Sequence, residues 1–319
     1  MAETITARET NRPLDLIATA VFAVLAAASL IFWWHPLAAT FALASANEAY
    51  THILLVLPLS AALVYLESND RKNGRGKIEL EHSSSAPPNP NLSRWCGAAF
   101  LALAFLIACY GRWEMSAAPD DVHLSLEMFS LVAWWISAVM FCFGLRTLRA
   151  LLLPLGLLFL LIQAPAVVLD PLVRWLQYGS ALMAAGLFHA VGESVQRDGI
   201  FLNLGSLNIE VAKECSSIRS SCLLVITTIV LAHLFLRSRW RILLLVLIAI
   251  PLSIAKNALR IFVIAELGIR VDPGFFEGSF HHHGGIVFLL IALGVIFALL
   301  GILRRTESRR PLLNAVASG

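Results

Sequence analysis

Charge is scarce in this chain. Of its 319 residues only 14% are Asp, Glu, Lys or Arg, while 58% are hydrophobic and the mean hydropathy is +0.77. Soluble globular domains carry about 25% charged residues, so the scarcity excludes an ordinary soluble enzyme and points to a polytopic membrane protein. The net charge, +3, is small too. It comes from short Lys/Arg clusters between apolar runs, which speak to topology and not to a nucleic-acid partner. Cysteines number five: Cys96, Cys109, Cys142, Cys215 and Cys222. Three of these sit in or at the ends of apolar segments as small hydrophobes do, so no disulfide framework is expected. No internal repeat and no phosphate-binding glycine loop is present. The N-terminus, MAETITARETNRPLDL, lacks the make-up of a secretory signal peptide. It carries acids as well as arginines, and Leu14–Trp34 is long enough to be a retained span.

What is present is a series of long apolar runs. A helix needs about 20 apolar residues to cross the hydrocarbon core. That ruler predicts about eight spans, near 14–34, 51–66, 96–110, 124–143, 150–168, 218–236, 242–266 and 285–303. The expected fold is therefore an all-α polytopic membrane protein forming a single domain over 1–319. The apolar stretch 172–191 holds Arg174, Gln177 and His189. Basic loops stay in the cytoplasm, and the candidates are LRTLR at 145–149, RSRWR at 237–241 and RRTESRR at 304–310. They share one side if 150–168 and 218–236 are the crossings between the first two. The stretch 172–191 then lies along the surface or dips in and returns. Both ends are expected in the cytoplasm and 169–217 outside.

Two loops differ from the rest. Residues 67–94, with clustered Ser, Pro and Asn, read as a flexible cytoplasmic linker. Residues 304–319 read as a cytoplasmic tail. The stretch GIFLNLGSLNIEVAKE, which begins at Gly199, alternates apolar and polar residues around Gly205 and suggests a short extracytoplasmic hairpin. It leads straight into Cys215.

Three places carry chemistry. Cys215 precedes an apolar run, where free helix amides and the helix dipole favour an anion, and Arg219 lies one turn further on. Such surroundings lower a thiol pKa and make the thiolate available, although Glu214 works against this. The alternative is a small residue at a helix start with a snorkelling charged flank. Arg260 lies inside an apolar helix with Asn257 one turn before it. A guanidinium at membrane depth faces a cavity or an anion, or else anchors a helix end beside Glu266 or Arg270. His281, His282 and His283 precede the last span. From a regular helix they cannot all reach one metal, and no carboxylate or Cys stands at ligand spacing, so no metal or other cofactor is expected. One of them acting as general acid/base is the simpler proposal, against a polar interfacial loop rich in His. The charge rule places Cys, Arg and His, from three spans, at one membrane face. Together they suit acyl transfer: a thiolate attacks, an imidazole moves protons, and a cation stabilises the oxyanion.

These residues resemble the exosortase/archaeosortase family of membrane-embedded sorting enzymes. The resemblance runs through EAYTHILLVLPLSAALVYL at 48–66, GESVQRDGIFLNLGSLNIEVAKECSSIRSS at 192–221, NALRI at 257–261 and HHHGG at 281–285. It implies Cys215 as nucleophile, Arg260 as stabilising cation and His281 as acid/base. The family's His is followed four residues later by Gly. Gly285 thus selects His281, with His282 as the fallback. The implied partners are exported proteins with a C-terminal signal: a motif such as Pro-Glu-Pro, a transmembrane helix and a basic tail. Cleavage through a thioester, then hydrolysis or transfer to an acceptor, would take place outside the bacterial inner membrane, in company with exopolysaccharide production. The chain departs from the family where Cys is usually followed by Ser-Gly. Here Ser217 replaces the glycine and lacks its φ freedom. A transporter with Arg260 and the histidines lining an anion or proton path is the alternative; it calls for polar residues strung through the depth of several spans. A metal-binding scaffold is a third class.

Overall fold

The computed structural model describes residues 12–47, 50–72, 90–114, 119–205, 208–211, 218–272 and 285–317, with side chains at all of these but 12–15, 70–72, 90, 114 and 308–317. The expected all-α character holds, and one small sheet is the only β-structure among the described residues. Among the described residues, five helices are long and apolar enough to cross a membrane, or up to seven if each of two bent pairs counts as one span. The expected eight is thus approximate. The chain divides into two compact units, Met1–Ala166 and Val167–Gly319.

The first unit comprises α1 (Arg12–Phe32), α2 (Trp34–Ala46), α3 (Ile53–Lys72), α4 (Pro90–Glu114), α5 (Asp120–Ala150) and α6 (Leu152–Leu157), then a 3-10 turn at Leu158–Leu161. Helix α2 was not expected. It continues from α1 after a 70° bend. Pro36 lacks the amide that a continuous helix would need there, so the break falls before it. The bend turns Trp33 inward, where it is fully buried and its Nε1 donates to Ser130 Oγ at 2.9 Å. Trp135 Nε1 similarly donates to Ser29 Oγ at 2.8 Å, joining α5 to α1.

Helices α4 and α5 run antiparallel, with Gly97 against Phe141 and Gly111 against Leu126. A Cβ at Gly97 would stand 2.7 Å from the Phe141 Cα, so the two backbones meet there because glycine has no side chain. The predicted span ends at Phe143, and the next residue is where α5 leaves helical backbone: Gly144 has φ 79°. Arg112 closes the other end of the pair. Its Nε donates to the buried Glu127 at 2.9 Å, its Nη2 donates to Phe32 O at 2.6 Å, and its guanidinium covers the Phe32 ring.

The single crossing expected over 150–168 is not a single helix. The chain runs through α6 and the 3-10 turn, loses helical geometry at 162–165, and resumes helix at Ala166. Pro165 disfavours helical backbone at Ala164. Gln163 fixes the break: its Nε2 donates to Thr40 Oγ1 at 2.6 Å and its O accepts from Ser125 Oγ. The linker expected over 67–94 begins and ends in helix, since α3 reaches Lys72 and α4 starts at Pro90; residues 73–89 lie outside the described residues.

The second unit comprises α7 (Ala166–Ala190), β1 (Gln196–Asp198), β2 (Phe201–Asn203), β3 (Asn208–Glu210), α8 (Ile218–Phe235), α9 (Arg239–Arg270) and α10 (Gly285–Ala317). The expected hairpin is β2–β3, antiparallel with Phe201 opposite Glu210 and Gly205 in the turn at φ 82°. Strand β1 adds a third member through a turn at Gly199–Ile200. Leu202 and Val211 bury completely against Ala181, Ala185 and Phe188 of α7 and Ala258, Ile261 and Ala265 of α9.

Helix α7 is one unbroken helix, so 172–191 does not dip and return within itself. Its buried positions, Val173, Leu176, Gln177, Ser180, Ala181, Ala184, Ala185 and Phe188, form one stripe at helical spacing. Leu172, Trp175, Leu182 and Met183 leave apolar surface on the other side. Gly179 meets Ile254, Phe188 meets Phe262, and Glu193 bonds Arg270, so α7 runs in the same sense as the C-terminal half of α9.

Helices α8, α9 and α10 alternate in direction around a core of Leu224, Ala232, Leu236, Leu245, Ala249, Ala292, Ile296 and Leu300. At one end Glu307 of α10 accepts from the amides of Arg237 and Ser238, and Arg241 donates to Leu303 O. The expected tail from residue 304 therefore begins as a continuation of α10, with Glu307 packed on the α8–α9 turn.

Candidate active site

The opposite end of this bundle holds Asn257, Arg260 and Gly285. Arg260 is only 9% exposed, which rules out a simple surface anchor for its helix. Four polar residues, Ser253, Lys256, Asn257 and Arg260, recur at i, i+3, i+4 and i+7, making one buried stripe on α9. Asn257 Nδ2 donates to Ser180 Oγ of α7 at 3.0 Å. Lys256 Nζ donates to Ser220 Oγ in the first turn of α8. The stripe is therefore bonded to a helix on each side. Ser253 Oγ, deeper along it, is buried with no hydrogen-bond partner among the described residues.

The third side is α10. A Cβ at Gly285, its first residue, would lie 4.0 Å from Arg260 Nη1. The start of α8, the start of α10 and Arg260 thus meet at one end. The sheet packs at the same end, and Gln177 Nε2 holds Val211 O at 2.6 Å where the chain leaves it. At the rim Arg270 bridges Glu193 and Glu266, at 2.8 and 2.7 Å. Glu266 and Arg270 mark the helix end, as one sequence expectation had it, whereas Arg260 is buried further back along α9.

Cys215, Ser217, His281, His282 and His283 lie outside the described residues. The chain carrying Cys215 links Val211 to Ile218, and that carrying the histidines links Asp272 to Gly285. All four ends belong to the Arg260 end of the unit. Arg219 is exposed, whereas Ser220 and Ser221 are buried, so the inward face of α8 is hydroxyl-bearing and Arg219 points away from it. Among the described residues no cluster of His, Cys, Asp and Glu could hold a metal ion.

Lys256 is the residue that sequence reasoning passed over. The signal was available: two cations four residues apart within an apolar helix occupy the same face. Ser180 and Ser220 were also missed, because a serine in an apolar run carries no mark of its partner.

The chain matches the family profile described as transmembrane exosortase over residues 33–298, from the α1–α2 bend well into α10. No curated protein and no solved structure matches it. The matched range takes in the multi-pass apolar helices, the sheet and the whole polar stripe. This chain belongs to the transmembrane exosortase family.

Proposed function

We propose that the protein is a cysteine peptidase or transpeptidase that processes exported proteins at a C-terminal sorting signal. The observation that carries this is the buried Arg260 beside the first residue of α10, one turn after Lys256, which bonds the first turn of α8; these are the two helices that follow Cys215 and the histidines.

Cys215, as thiolate, attacks the carbonyl carbon of the scissile peptide. Arg260 stabilises the oxyanion, a role worth about 10²–10³ in rate for a single donor. His281 protonates the departing amine as the tetrahedral intermediate collapses to a thioester. It then takes a proton from water, or from an acceptor amine, which attacks the thioester and expels the Cys215 thiolate. Asn257 holds α9 to α7 and so fixes the level of Arg260. The substrate is an exported protein whose signal consists of a motif such as Pro-Glu-Pro, a transmembrane helix and a basic tail. Gly285 fits His281 as the acid/base.

The site faces the outside of the bacterial inner membrane on this reading. Arg241 and Arg260 are separated by about 28 Å of helical rise, close to the thickness of the hydrocarbon core. The end rich in arginine, Arg237 to Arg241, belongs to the cytoplasm by the charge rule. Arg260 then lies near the outer boundary.

The test is processing of a co-expressed exported protein bearing such a signal. Wild-type protein shortens it, and Cys215→Ala, Arg260→Met and His281→Ala leave it full length. Shortening by Cys215→Ala equal to wild type overturns the assignment.

A further inference from the structure

We propose that the arginine-rich end of the second unit binds the headgroup of an anionic phospholipid, with Arg237, Arg239 and Arg304 as the cations that hold it. The inference stands apart from the peptidase reading above.

The sequence is one-sided in charge here. Between Glu214 and Glu266 the chain has no acidic residue, and after Glu277 it has only Glu307. That carboxylate is already committed. Its Oε2 accepts from the Arg237 amide at 3.1 Å and its Oε1 from the Ser238 amide at 2.7 Å, with Arg241 Nη1 3.9 Å away. Arg241 is half-buried and donates to Leu303 O at 3.0 Å. These bonds seat α10 on the α8–α9 turn, and so bring arginines from two distant stretches of chain to one place. The Arg304 guanidinium stands 5.7 Å from the centre of the Phe235 ring, and Phe235 is the last residue of α8. Arg237 follows two residues later, and Arg239 opens α9. All three are exposed, and none of them is in an ion pair among the described residues.

Arginine suits phosphate in particular, because its planar fork donates two parallel hydrogen bonds. Basic groups gathered between transmembrane helices at the membrane boundary take phosphate-bearing headgroups. The neighbouring surface fits a lipid. Phe235, Trp240, Leu243 and Ile302 are large, apolar and exposed. Trp240 stands between Arg239 and Arg241 in sequence, and tryptophan favours the level of the headgroups. One anionic phospholipid meets both surfaces: its phosphate pairs with the arginines, and its acyl chains continue along Leu243 and Ile302. The first unit offers a comparison. Arg146 and Arg149 are also exposed, but both lie on one stretch of α5.

The test is native mass spectrometry of the full-length protein released from a neutral detergent, with phosphatidylglycerol and phosphatidylcholine supplied in equal amounts. Wild-type protein is expected to retain phosphatidylglycerol in preference, and equal retention of the two lipids overturns the proposal. Each arginine at such a surface contributes roughly a fivefold factor. Arg237→Gln, Arg239→Gln and Arg304→Gln together are therefore expected to cut retained phosphatidylglycerol by at least about tenfold. Arg146→Gln with Arg149→Gln is expected to leave it unchanged. A loss in that double variant as large as in the triple variant overturns the proposal, since net charge alone would then attract the lipid. Glycerol 3-phosphate at the lipid's own concentration is expected to leave the lipid bound, and full displacement overturns the assignment to a lipid. Should the triple variant fail to insert, Arg304→Gln alone decides. It is expected to lose roughly fivefold in retained phosphatidylglycerol, and no loss overturns the proposal.

Discussion

Gly285, the first residue of α10, faces the guanidinium of Arg260: a Cβ added there would stand 4.0 Å from Nη1. That distance is ordinary van der Waals contact, so a methyl group fits, while a longer side chain directed at the guanidinium would crowd it. Gly285→Ala is expected to retain processing activity. Gly285→Leu is expected to displace the guanidinium and lower activity by at least about tenfold, since misplacing a catalytic group by 1 Å can cost roughly 10²-fold. Equal activity in the two variants would show that Arg260 has room to spare.

Asn257 and Ser180 make a second test of how Arg260 is held. Their 3.0 Å hydrogen bond lies between two buried side chains. Losing it while leaving one partner unsatisfied costs about 1–3 kcal/mol. Asn257→Ala is expected to lower thermal stability by that order and to reduce activity. Asn257→Ala combined with Ser180→Ala, which removes both partners, is expected to recover part of the stability. A double variant as unstable as the sum of the two single variants would contradict the pairing.

In the first unit, Arg112 and Glu127 predict an asymmetry. Glu127 has an 8% exposed side chain and Arg112 a 35% exposed one. Arg112→Met leaves the buried Glu127 carboxylate with only His123, 4.0 Å away, and is expected to cost up to the roughly 3–5 kcal/mol of an uncompensated buried charge. Glu127→Gln leaves a guanidinium that still reaches solvent and Phe32 O, so its loss is expected to be clearly smaller. Denaturation of the two variants in the same detergent decides the order, and a larger loss for Glu127→Gln would reverse it.

Orientation is open to labelling in intact cells. With a membrane-impermeant maleimide, Gly199→Cys in the β1–β2 turn is expected to react from outside. Ser238→Cys, in the arginine-rich turn between α8 and α9, is expected to react only after permeabilisation. The opposite pattern would place the Arg260 end in the cytoplasm.

The helices that could be read from the sequence are those whose apolar runs end in charge. Spans 218–236 and 242–266 correspond to α8 and α9, with the RSRWR cluster between them, and Gly144 interrupts α5 one residue beyond the predicted end. The break at 162–165 was not legible, because hydropathy is blind to a bend. The relevant signals were local, in Pro165 and in a glutamine that needed partners, Thr40 and Ser125, far away in sequence. Strand β1 was missed although Asp198-Gly199 is a strong hairpin signal; the alternation was read only from Gly199 onward. In the site, Arg260 and Asn257 stood out as single polar residues in apolar surroundings. The stripe that joins them to Ser253 and Lys256 becomes visible only when α9 is seen to turn that face to α7 and α8.

The central claim is that Cys215, Arg260 and His281 come together at the end where α8 and α10 begin. Mild oxidation of His281→Cys, with Cys215 in place, measures this directly when the cross-linked peptides are identified by mass spectrometry. The expected result is a disulfide from Cys215 to position 281, stronger than for His282→Cys or His283→Cys. Absence of any such linkage from all three positions, with every thiol still reactive, would contradict it.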